Sequence, residues 1–153
     1  MTSQSRRVVE EFWAPFESGS PTGEAAERWK GLFAEDGVWE MPFAPAPVPE
    51  VVAGRVLIGH FADWLFAAVP DLRLVSFDAR ETADPQVILI EMQMTSPVTY
   101  TGRTYANTYC SLMRIVDGRV ALFREYFDPT VVLDAFGVEV LEAGIGQVMA
   151  AAA

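Results

Sequence analysis

The feature that most restricts the fold of this 153-residue chain is a change of period along it: apolar residues recur mainly at helical spacing up to about residue 70 and alternate thereafter. Val8, Val9, Phe12, Trp13 and Phe16 fall on one helical stripe, with Ser5 placed to cap its start. Thr22 caps a second helix carrying Ala25, Ala26, Trp29, Leu32 and Phe33, which ends near Asp36-Gly37. A short period-two stretch interrupts, with Trp39, Met41 and Phe43 opposite Glu40, stopped at or just after Pro42. The three prolines alternating between Ala44 and Pro49 cannot pair inside a sheet and predict a stiff loop over whatever the domain binds. Leu57, Ile58, Phe61, Trp64, Leu65 and Ala68 then form a third helical stripe after Gly54, stopped by Pro70-Asp71.

From there the chain reads as sheet. Leu72 to Asp78, Val87 to Thr95, Tyr100 to Val116 and Arg119 to Phe127 are rich in β-branched and aromatic residues and are separated by turn residues. Asp117-Gly118 tolerates the positive φ of a tight hairpin and pins the register of the last two strands. Val131 to Phe136 predicts a closing helix that Gly137 ends. The apolar tail from Val138 to Ala153 reads either as a partner-packing helix or as a frayed end. Helices gathered before an antiparallel meander define an α+β fold in one domain, 1–153, with the helices covering one face of a bent sheet and a hollow between them.

Composition narrows the partners. Eleven basic against 21 acidic residues leave a net charge of −10, with no run of Lys or Arg, so nucleic acid and anionic membranes are excluded as partners. One cysteine, Cys110, and one histidine, His60, assemble neither a disulfide framework nor a zinc site, so no metal is expected. A charged N-terminus and the lack of a run of about 20 apolar residues predict a soluble cytoplasmic protein.

Two stretches carry a family resemblance: Leu32-Phe33-Ala34-Glu35-Asp36-Gly37 leading into the first strand, and Arg124-Glu125-Tyr126-Phe127-Asp128-Pro129 ending the last, followed by Leu133 to Gly137. Over roughly Arg6 to Gly137 the chain resembles the nuclear-transport-factor-2-like superfamily, in particular its SnoaL-like polyketide cyclases and phenazine-biosynthesis A/B proteins. The resemblance implies a cone-shaped barrel, a homodimer, and a pocket between the concave sheet and the first three helices. It also implies cofactor-free chemistry, although members without catalysis exist.

Residue by residue, the resemblance makes Glu125 the acid/base of the phenazine proteins and Asp128 that of the polyketide cyclases. Alternation puts Phe123, Glu125 and Phe127 on one face of the last strand, and a carboxyl among phenyl rings is pushed toward its neutral form. The competing reading has Glu125 in solvent or paired with Arg124 or Arg103. Asp128, before Pro129, is equally placed as a helix N-cap. His60 lies near the histidine that anchors a substrate carboxylate in the phenazine proteins, although that residue aligns opposite Phe61. Tyr105, Asn107, Tyr109 and Ser111 form a polar file that orients substrate if it is concave and is a wet or dimer face if convex. Trp64 and Phe43 are placed to roof the pocket.

These residues point to a cofactor-independent isomerase, cyclase or dehydratase of secondary metabolism acting on a small hydrophobic carbonyl compound. The rival is a non-catalytic binding or assembly module using the same cavity. A third reading makes the tail and outer sheet a hetero-oligomer surface.

Overall fold

A computed structural model describes residues 3–153. Helix α1 (Gln4–Trp13) is capped by Ser3, whose hydroxyl accepts from the Arg6 N–H. Ser5 is not the cap: its hydroxyl donates to the Pro85 carbonyl instead. Pro15 tightens the chain into a 3-10 turn (Ala14–Glu17) that carries Phe16 inward.

Helix α2 (Gly23–Lys30) is shorter than its apolar spacing predicts, because the chain is already extended from Phe33. Strand β1 (Phe33–Glu40) takes over residues that fit the helical stripe, since pairing with the distant last strand supplies their backbone bonds; the Val120 N–H, for instance, donates to Leu32 O. Gly37 sits at the irregular step of this pairing, where a Cβ would lie 2.9 Å from the carbonyl oxygens of Ala34 and Val120, so only glycine fits.

After the proline loop come a three-residue strand that local pattern does not reveal, β2 (Val51–Ala53), and helix α3 (Arg55–Ala68). Strands β3 (Arg73–Glu81), β4 (Val87–Pro97), β5 (Thr104–Val116) and β6 (Arg119–Phe127) form the expected meander, and α4 (Pro129–Phe136) and α5 (Val138–Ala152) follow. The six strands lie in the order β2-β1-β6-β5-β4-β3. The sheet is curved but unclosed. It is also not wholly antiparallel: β1 runs parallel to β6, a pairing possible because the whole meander lies between them.

On the concave face Phe12 meets Trp13, Trp29, Phe33 and Phe123 at ring-centroid distances of 4.7–5.7 Å, so α1, α2, β1 and β6 are pinned by one aromatic cluster. Helix α5 is neither frayed nor free: Leu141, Gly144 and Val148 are buried and the helix packs on α3. Among the described residues, no helix is long and apolar enough to cross a membrane.

Candidate functional site

The curvature of the sheet leaves a cavity of about 80 Å³ between its concave face and the helices. That is several times what one water needs and roughly half the size of an engineered apolar cavity that takes benzene. Its wall is almost wholly apolar and includes all four tryptophans of the chain, Trp13, Trp29, Trp39 and Trp64. Val48 of the proline loop and Leu65 of α3 are half-buried wall residues. Leu141 adds a piece of wall from α5, which the sequence reading placed outside the pocket.

Glu125 projects into this space from β6. Alternation sends Phe123, Glu125 and Phe127 inward together, and Glu125 is 8% exposed. The arginines that might have neutralised it are engaged elsewhere: Arg124 pairs with Glu40 at 2.6 Å and Arg103 donates to the Asp134 carbonyl at 2.8 Å. The direct partner of the carboxyl is the Trp39 indole, whose N–H donates to Oε1 at 3.1 Å. Burial dominates that one bond and raises the Glu125 pKa from the usual carboxylate range to about 8.

Strand β5 supplies the second polar group. Because Ser111 stands opposite Glu125 and Tyr109 opposite Phe127, the whole file Tyr105, Asn107, Tyr109 and Ser111 lies on the concave side. Tyr105 and Tyr109 line the cavity with their hydroxyls in a very short mutual hydrogen bond, and burial raises the pKa of both phenols. Asn107 supports them from behind. Its Nδ2 donates to the Tyr105 hydroxyl at 3.1 Å and to the Asp128 carbonyl at 3.0 Å, while its Oδ1 accepts from the Asp128 N–H at 3.2 Å. Asn107 is therefore a clamp between the ends of β5 and β6, outside the cavity wall.

Three further residues fall away from the site. Asp128 is exposed and caps α4, accepting from the Thr130 N–H at 2.9 Å. His60 points to an outer groove shared with Glu27, Lys30, Arg55 and Asp63, and Phe61 takes the inward position. Phe43 is 57% exposed and packs against Tyr126 on the outside of the sheet, so Trp64 lines the cavity without it. Trp39, whose indole holds the Glu125 carboxyl, is a site residue that sequence reasoning missed. The available signal was its place on the inward face of a strand, two residues before Met41.

Residues 9–123 match the SnoaL-like domain family. The chain belongs to that family. Among SnoaL-like relatives, an uncharacterized PhzA/B-like protein of Pseudomonas aeruginosa is 33% identical over 113 residues, covering 73% of this chain and 79% of that protein. The uncharacterized protein YesE of Bacillus subtilis is 32% identical over 119 residues, 76% of this chain and 79% of its own. The crystal structure of a phenazine biosynthesis-related protein from Pseudomonas aeruginosa superposes with a TM-score of 0.70 at 22% identity, over 88% of this chain and 84% of that one. This last likeness is one of fold.

Proposed function

We propose that this SnoaL-like domain is an acid/base enzyme of the isomerase or cyclase type, moving a proton on a small hydrophobic carbonyl compound, with Glu125 as the catalytic residue. The observation that carries the reading is the enclosure of the Glu125 carboxyl with a pKa raised to about 8, so that both protonation states are accessible near neutral pH. The Trp39 N–H on Oε1 leaves Oε2 to hold or release the proton. In its protonated form Oε2–H donates to a carbonyl oxygen. In its ionised form it takes a proton from the carbon beside the carbonyl, and the resulting enolate is protonated again at carbon or oxygen. The Tyr105–Tyr109 hydroxyl pair is the second hydrogen-bonding group in the cavity and orients the oxygen, while the tryptophans exclude water.

The test needs no knowledge of the natural substrate. Acetophenone in heavy water exchanges its methyl protons for deuterium whenever a base forms the enolate, and NMR follows the exchange. The native protein should accelerate exchange, and Glu125→Gln should lower the protein-catalysed rate by roughly 10² or more while ligand affinity stays within a few-fold. An undiminished rate in the variant would remove Glu125 from the chemistry, and no acceleration by the native protein would leave a pocket that only binds.

A further inference from the structure

The cavity wall contains Glu125, Tyr105 and Tyr109 as its titratable groups, and among the described residues no Lys, Arg or His. The cation-bearing side chains nearest in sequence are spent outside: Arg124 on Glu40, Arg103 on a backbone carbonyl, and Lys30 on Glu27 and Asp63 at 2.9 and 2.7 Å. His60, one residue before the position that aligns with the carboxylate-anchoring histidine of the phenazine proteins, lies in the outer groove with Lys30.

What the cavity offers is the opposite of an anion site. Desolvation drives Glu125, Tyr105 and Tyr109 toward their uncharged forms, so the wall carries no cation and favours a neutral carboxyl. Trp13, also in the wall, keeps a buried indole N–H with no hydrogen-bond partner among the described residues. A neutral acceptor satisfies such a donor. A carboxylate would bring a full charge into a space lined by aromatic rings with no opposite charge to meet it, and that desolvation goes uncompensated.

We infer that the natural ligand is an uncharged molecule and that the cavity selects against carboxylates. The inference rests on the acid/base reading only for the cavity's being the binding site. It deepens that reading by restricting the substrate to neutral carbonyl compounds, such as esters, amides and simple ketones, and by excluding keto acids.

Acetophenone and benzoate have nearly the same shape and differ in charge, so they isolate the effect. Calorimetric titration of the native protein at pH 7 should show acetophenone binding at least about 10²-fold more tightly than benzoate. Admission of the ring requires half-buried Val48 and Leu65 to move aside. Binding of benzoate as tight as that of acetophenone, or binding of neither, overturns the inference. The two proposals fail separately. A benzoate-binding protein in which Glu125→Gln abolishes exchange keeps the chemistry and loses the selectivity, whereas a benzoate-rejecting protein with undiminished exchange in that variant does the reverse.

Discussion

At the scale of single residues, the Glu125 carboxyl makes a prediction about stability that is independent of any substrate. Its pKa rises from 4.5 to about 8 on folding. The folded state therefore holds a proton that the unfolded state has released, and stability from this group is full below about pH 4.5, declines between there and pH 8, and is lost above. The swing is on the order of a few kcal/mol. Glu125→Gln cannot ionise and keeps an oxygen for the Trp39 N–H. Its Tm should exceed that of the native protein by a margin that grows as pH rises through this window and then levels off. Parallel Tm curves from pH 5 to 9 would show that the carboxyl is not desolvated.

Asp128 has a structural part instead. Its side chain closes the first turn of α4, so Asp128→Ala should cost about 1 kcal/mol of stability and Asp128→Asn much less, with the exchange rate unchanged in both. A rate loss in the Asn variant would return Asp128 to the chemistry. The inward face of Glu125 was legible because strand alternation and its two phenyl neighbours agree. His60 could have been set aside on the same grounds, since the stripe Ile58, Phe61, Leu65 already defines the buried face of α3 without it. Trp39 was harder, because a core indole and a hydrogen-bonding indole have the same local pattern.

At the scale of elements, α5 shapes the cavity through one close approach. A Cβ on Gly144 would fall 2.1 Å from the Trp64 ring, and Trp64 and Leu141 both belong to the wall. Alanine is favoured over glycine in helices by about 1 kcal/mol. Overpacking of this severity costs about 1–3 kcal/mol and wins. Gly144→Ala should therefore lower Tm and weaken acetophenone binding as Trp64 is driven into the cavity, and Trp64→Leu in the same chain should restore stability. A Gly144→Ala protein with raised Tm and unchanged affinity would mean that α5 is free to move away. The helices and the meander were readable from periodicity and turn residues. The three-residue β2 is too short to show a period, and the first half of β1 was masked by its fit to a helical stripe. The role of α5 was hidden because apolar tails read alike whether they fold back or meet a partner.

At the scale of the whole molecule, the order of helices before strands was enough to place the chain in an α+β architecture, while the parallel β1–β6 pair was not foreseeable from local pattern. It joins segments separated by most of the chain, and only the closed arrangement of helices against the curved sheet brings them side by side. The same arrangement explains why the cavity is so uniformly greasy: its walls are the inner faces of the sheet and of the helices packed against it. Because every indole in the protein borders that one space, the molecule carries its own optical gauge. Excited where tryptophan alone absorbs, its emission has no surface background, and the colour of that emission reports how wet or dry the chamber is at any moment.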